Sequence, residues 1–173
     1  MQQAQRQSIR ELAGALRDCF PGQIPEEIAI NLGGSVVTAD RIEADALAKV
    51  TAAGDSFEIT VLADESQVIE RQLSIAHELG HLFLHMGFQT DAWQQVPEYT
   101  DAAMYRAGYS HEEREAYEFA YALLMPEDEF RKAVDTLQAD DSTIDVQQLA
   151  AKFNVPSDAA LQYGRTMGIL EWS

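Results

Sequence analysis

Apolar residues recur every three or four positions along most of the chain, and this spacing predicts helices. The first is predicted over residues 6–20, where Pro21-Gly22 ends it, and a short second one from Glu26 to Leu32. Further amphipathic helices are predicted over residues 111–125, 127–139, 146–153 and 156–170. The pattern therefore indicates a mostly helical protein.

Two short runs between the second helix and the middle of the chain differ from the helical segments in composition. Residues 35–38 and 57–62 are rich in β-branched side chains and are predicted strands of a small mixed or antiparallel sheet. Residues 40–47 are expected to form a helical turn between them. Helices and strands together predict the α+β class.

The stretch from residue 87 to residue 109 has no sustained periodicity and is interpreted as a long, partly helical connection. The length of 173 residues suits one domain with a substantial core. We expect a single domain over residues 1–173, with a core at about 25–130 and a C-terminal helical part at about 131–173.

Residues 67–86 are predicted to form one long helix whose circumference is mostly apolar, so it should lie in the core. His77 and His81 are polar exceptions, and a spacing of four lets both rings hold one cation. Glu78 is a step around the helix, where its carboxylate can take a proton from a metal-activated water. Gly80 indicates a close approach of another backbone or of substrate. The small sheet is predicted to pack on this helix, and the helix is predicted to bind a catalytic metal.

Zinc is the metal that this helix is expected to bind. The chain has a single cysteine, Cys19, which excludes an internal disulfide and a Cys-rich zinc cage, so the ligands must be His and carboxylate. Zinc lowers the pKa of water from about 15.7 toward 7 and polarises a carbonyl, which are the needs of amide hydrolysis. A pair of hydrogen-bonded core histidines that binds no metal is the alternative interpretation.

A catalytic zinc site needs a third protein ligand. The longer motif H-E-x-x-H-x-x-G-x-x-H is excluded, because Leu84 and Gly87 stand where it needs Gly and His. A carboxylate on another helix is expected instead. Glu113 is the first candidate because it shares a predicted buried stripe with the alanines and leucines that follow it; Glu115 and His111 are weaker candidates.

Other polar residues near these candidates have more ordinary interpretations. Glu112 and Glu118 are predicted to face solvent, and an acid-rich helix N-terminus is the alternative reading of the whole cluster. His85 has rotated by about 80° from His77 and is interpreted as a structural or supporting group. One residue is expected to donate a hydrogen bond to the oxyanion. The candidates are Tyr99, Tyr105, Tyr109 and His111.

The formal net charge of −17 argues against a nucleic-acid partner, since phosphate binding needs a cluster among the 12 basic residues. The chain has neither a run of 18 apolar residues nor a basic N-terminus followed by one, so no membrane partner is expected and the cytoplasm is the expected compartment. An acidic surface suits a basic protein partner, although a merely solvated surface is the alternative.

Two segments carry a specific combined pattern: residues 74–85, with H-E-L-G-H, and residues 113–126, with F-A-x-x-L-L-M-P. Together they resemble the ImmA/IrrE family of metallopeptidases, over about residues 25–170. The resemblance implies a zincin-like fold and a gluzincin-like zinc endopeptidase. Its implied site residues are the ligands His77, His81 and Glu113 and the base Glu78.

The resemblance also implies a substrate class. Members of the family cut helix-turn-helix repressors in phage, mobile-element or stress-response regulation, so the leading hypothesis is a zinc endopeptidase acting on a DNA-binding repressor. The alternative is a non-catalytic zinc-binding protein that sequesters a repressor or a toxin. Tyr117 stands where the family usually has Asn or Asp supporting a zinc-bound His, and its hydroxyl is a candidate for that support.

Overall fold

The computed structural model describes residues 1–43, 46–63, 68–93, 95, 97–100, 110–140 and 144–170. Within these ranges it contains seven helices and one four-stranded sheet. The helices are α1 (Gln3–Cys19), α2 (Pro25–Asn31), α3 (Val68–Leu84), α4 (His111–Leu124), α5 (Glu127–Asp140), α6 (Val146–Phe153) and α7 (Ser157–Thr166). The strands are β1 (Ser35–Ala39), β2 (Ala48–Ala53), β3 (Ser56–Leu62) and β4 (Glu98–Thr100). The predicted α+β class, mostly helical with a small sheet, is confirmed.

The sheet is mixed, with strand order β1-β3-β2-β4. β1 runs parallel to β3, whereas β2 pairs antiparallel with both β3 and β4. β2 and β3 form a hairpin whose turn contains Gly54 at a φ of +64°, a conformation that favours glycine. Neither β2 nor β4 was expected from the sequence, since β2 is rich in alanine and β4 lies in the stretch interpreted as partly helical.

The ends of the helices follow local signals. Ser110 Oγ accepts a hydrogen bond from Glu113 N at 3.1 Å and so caps the N-terminus of α4. α7 ends at Thr166 rather than at the predicted Leu170, because Gly168 takes a positive φ of 67° and the chain turns back there. The helical turn predicted over residues 40–47 lies partly outside the described residues.

α3 is the central helix of the fold, as its apolar sequence predicted. Every residue from Ile75 to Leu82 is buried. An apolar cluster surrounds it, formed by α1, α2, the sheet and α4. A second cluster holds the end of α4 against α5, α6 and α7 around Phe130, Leu149 and Tyr163. In the described part of the chain, no helix is both long and apolar enough to cross a bilayer.

Glu118 on α4 corrects one expectation from the sequence, because it is buried and not solvent-facing. Helix α1 packs over this flank of α4, and Arg10 Nε donates a hydrogen bond to Glu118 Oε1 at 2.6 Å. Arg10 Nη1 also donates to Glu127 Oε2, at 2.8 Å. The periodicity of α4 alone could not reveal a charge pair made with a helix about a hundred residues away. Glu112, in contrast, is exposed as predicted.

Candidate metal centre

Helices α3 and α4 meet at a point where only glycine fits. A Cβ added at Gly80 would lie 2.9 Å from Ala116 Cα and 3.0 Å from Ala116 O, which is closer than packed atoms tolerate. Glycine inside a helix costs about 1 kcal/mol relative to alanine, so a packing reason is expected for it. The close approach expected at Gly80 is therefore made by the backbone of α4, and it brings side chains of the two helices together.

Three buried side chains from these helices form a triangle of potential metal ligands. His77 Nε2 and His81 Nε2, on α3, are 2.9 Å apart. Glu113 on α4 faces both rings, with Oε2 at 3.2 Å from His77 Nε2 and Oε1 at 3.3 Å from His81 Nε2. Among the described residues, these three form a group whose donor atoms lie close enough to hold a metal ion.

The dimensions of this triangle suit zinc. Ligands at about 2.0–2.1 Å from a tetrahedral zinc ion lie about 3.3–3.4 Å from one another. The observed sides of 2.9–3.3 Å fall just inside that spacing. Two imidazoles and one carboxylate are also a donor set that zinc accepts, and three protein ligands are the number found in catalytic zinc sites. The residues present thus fit the metal that the sequence predicted.

Burial keeps His81 in the form that a metal requires. Desolvation lowers the pKa of the His81 imidazole to about 3, and the neighbouring Glu113 carboxylate opposes this shift only in part. The ring is therefore neutral at neutral pH, and one of its nitrogens carries a lone pair. A neutral imidazole is the form of histidine that binds metal ions.

The two histidines differ in the hydrogen bonding of Nδ1, the ring nitrogen on the side opposite the triangle. His81 Nδ1 lies 2.8 Å from His85 Nδ1, and His85 Nε2 lies 3.1 Å from Glu115 Oε2. His77 Nδ1, in contrast, is buried without a hydrogen-bond partner in the described part of the chain. His85 thus occupies the supporting position expected for it, next to one candidate ligand.

Tyr117 does not give His77 the hydrogen bond that the sequence analysis considered. The Tyr117 ring packs against the His77 ring, with centroids 4.2 Å apart and planes tilted by 51°. The contact restricts the His77 ring by packing. It leaves Nδ1, the nitrogen turned away from the ligand triangle, without the support that an Asn or Asp side chain supplies by hydrogen bonding.

Glu78 lies beside the triangle in a cleft of about 240 Å³. His77 and Glu78 both line this space, and Glu78 is fully buried. The remaining walls come from α3, α4, the start of β2 and the start of α7, and include Leu73, Ala48, Pro156, Tyr117 and Tyr121. The carboxylate that the sequence assigned as a base thus shares a cavity with a candidate ligand.

Tyr121 lines the cleft and was not predicted as a site residue from the sequence. A helical signal for it was present, because Tyr117 and Tyr121 follow Glu113 at steps of four and so share its face of α4. Of the expected oxyanion donors, Tyr105, Tyr109 and the side chain of Tyr99 lie outside the described residues.

The weaker candidates for the third ligand lie away from the triangle. The side chain of His111 is 52% exposed, and its Nδ1 lies 3.2 Å from Glu115 Oε1. Glu115 uses its other oxygen on His85. Glu113 is thus the carboxylate that faces both His77 and His81.

The helix-borne His-Glu-His pattern, the carboxylate from the next helix and the cleft beside them define a metallopeptidase type of centre. Residues 34–162 match the family model Peptidase_M78, the IrrE N-terminal-like domain. The chain belongs to this family, which confirms the resemblance noted from the H-E-L-G-H and F-A-x-x-L-L-M-P segments. No curated protein matches the chain.

Proposed function

We propose that this metallopeptidase is a zinc-dependent endopeptidase with His77, His81 and Glu113 as ligands and Glu78 as the general base. The observation that carries the proposal is the buried triangle of two imidazole nitrogens and one carboxylate, with sides of 2.9–3.3 Å. Membership in the family supports the same assignment. Glu78 lines the cleft next to the triangle, which is where a substrate chain would bind.

The chemistry divides between the metal and Glu78. Bound zinc would supply Lewis acidity, which polarises the scissile carbonyl and makes water a stronger nucleophile. Glu78 accepts a proton from the attacking water and then delivers it to the leaving amine. Glu78 is buried in the same cleft as His77 and is not one of the three residues of the triangle, so its carboxylate is not needed to hold the metal. His81 stays neutral, since its pKa is far below 7.

The substrate we propose is a helix-turn-helix repressor, in phage, mobile-element or stress-response regulation. The resemblance to the ImmA/IrrE family implies this class of substrate. The net charge of −17 supports it, because an acidic enzyme attracts a basic protein and raises its rate of encounter. The same charge disfavours binding of the enzyme to the DNA itself.

The proposal is tested by incubating the zinc-loaded protein with the helix-turn-helix protein encoded nearest to its gene. Intact-mass spectrometry over time reports cleavage. We expect cutting at one or a few bonds by the wild type and by Glu112→Gln, an exposed substitution in the first turn of α4. Glu78→Gln and a chelator-treated sample should leave the substrate intact.

A non-catalytic zinc-binding protein that sequesters its partner is the second candidate. Among the described residues His77 Nδ1 has no hydrogen-bond partner, and Tyr117 only packs against the ring; both favour this candidate, because loss of such support lowers the activity of a metal site. Size-exclusion chromatography of the same mixtures separates the two. A stable complex with an uncut partner in the wild-type sample would replace the protease assignment with this one.

A further inference from the structure

We propose that His85 and Glu115 are a positioning pair that sets the tautomer and ring orientation of His81. The inference rests on the proposed metal site, because it states how one ligand of that site is prepared for metal. His85 and Glu115 do not touch the metal position themselves. They act through the Nδ1 nitrogen of His81, on the side of the ring opposite the triangle.

The placement of the pair follows from the contact between α3 and α4. His77, His81 and His85 succeed one another at steps of four on α3. On α4, residues three and one before Ala116 lie about 60° and 100° to opposite sides of it. Glu113 therefore reaches the triangle on one side of the Gly80–Ala116 contact, and Glu115 reaches His85 on the other.

The hydrogen-bond directions in the chain follow from the carboxylate at its end. A carboxylate accepts hydrogen bonds, so in this chain His85 Nε2, 3.1 Å from Glu115 Oε2, carries the hydrogen and donates it. In a neutral His85 ring Nδ1 is then the acceptor, and His81 Nδ1, 2.8 Å away, donates to it. His81 Nε2 is left with a lone pair that points at His77 and Glu113, which is the tautomer a metal ligand needs.

Glu115 is itself held in place. Its side chain is only 13% exposed, and that of His85 only 9%. Gln5 Nε2, on α1, donates to Glu115 Oε1, and His111 Nδ1 lies 3.2 Å from the same oxygen. The other oxygen of Glu115, Oε2, is the one that contacts His85. A carboxylate fixed from two sides can orient a histidine, and that histidine can orient the next one.

The two candidate histidine ligands are consequently not equivalent. His81 has a hydrogen-bonded chain behind it, whereas His77 Nδ1 has no such partner in the described part of the chain. Partners of this kind change metal affinity by about 10- to 100-fold when they are removed. The pair should therefore matter more here than in a site where both histidines are supported.

The first test measures zinc affinity by competition with a chromophoric chelator. We expect His85→Phe, which keeps a ring of similar size, and Glu115→Gln each to weaken zinc binding by about 10- to 100-fold. Glu112→Gln is the matched control and should stay within about twofold of wild type, because Glu112 is exposed and is not part of the contacts that join Glu115, His85 and His81. Far-UV circular dichroism and melting of the metal-free proteins report folding.

The second test measures the tautomers of the metal-free wild-type protein by NMR of ¹⁵N-labelled imidazoles. We expect the hydrogen on Nδ1 of His81 and on Nε2 of His85, and loss of the single His81 tautomer in His85→Phe. The opposite tautomers overturn the inference, as does unchanged zinc affinity in both variants. If wild type binds no zinc, the proposed function fails, while the tautomers still decide the inference.

Discussion

Glu78→Gln is expected to reduce peptide-bond cleavage by about 10²- to 10⁴-fold while the bound metal remains. Glutamine has nearly the same shape, but it cannot take a proton from water, and a positioned general base contributes about 10²–10⁴ in rate. Because Glu78 lies outside the ligand triangle, the amide removes the base without removing a ligand. The measurement is single-turnover cleavage of the helix-turn-helix substrate, with metal content determined on the same samples.

Glu112→Gln is the matched control for this experiment. It makes the same chemical change on an exposed residue, and its turnover should equal that of wild type. Substantial turnover by metal-loaded Glu78→Gln would mean that another group accepts the proton. Loss of metal together with turnover would instead make Glu78 part of the metal site.

Arg10→Ala is expected to lower the free energy of unfolding by about 3–5 kcal/mol. The substitution removes the guanidinium 2.6 Å from the Glu118 carboxylate, whose side chain is 3% exposed; Arg6 Nε, 4.0 Å away, is too distant to replace that hydrogen bond, and breaking a buried pair is costly. Urea unfolding of metal-free protein at neutral pH measures the change. The effect should appear as a lower midpoint with a similar dependence on urea.

Arg131→Ala provides the comparison. Arg131 Nη2 forms an ion pair with Glu127 Oε1 at 2.7 Å, and this pair lies at the surface. Exposed pairs of this kind contribute about 0–1 kcal/mol, so a small change is expected. Glu118→Gln should recover part of the stability lost in Arg10→Ala, because it removes the stranded charge. Equal losses for Arg10→Ala and Arg131→Ala would contradict the view that the Glu118 pair ties α1 to α4.

The parts of this fold that could be predicted from the sequence are those with local periodicity. The bounds of α6 were predicted without error, and the end of α3 was missed by two residues; the predicted start of α3 at residue 67 lies outside the described residues. The β2 strand was not predicted, because its alanines lack strand propensity and it exists through its pairing with β3 and β4. Tertiary contacts, not local sequence, form this strand.

In the candidate site, too, the features set by one helix could be predicted from the sequence, and those that depend on contacts between helices could not. The spacing of His77, His81 and Glu78 within one helix was enough to place them together, and the face of α4 was enough to favour Glu113. The burial of Glu118 depends on α1, which periodicity in α4 does not reveal. The contact between Glu115 and His85 also joins two helices, so it could not be predicted from the periodicity of either one. From the sequence, Glu115 was only a weaker candidate for the third metal ligand.

We propose that His77, His81 and Glu113 bind one metal ion, and the zinc content of purified variants is the test of this ligand set. Wild type, Glu78→Gln, His77→Ala and Glu113→Gln would be purified identically, equilibrated with zinc and analysed by plasma mass spectrometry. We predict about one zinc per chain in wild type and Glu78→Gln, and loss of most of it in His77→Ala and Glu113→Gln. A wild type without zinc, or a Glu113→Gln variant that keeps its full content, would contradict it.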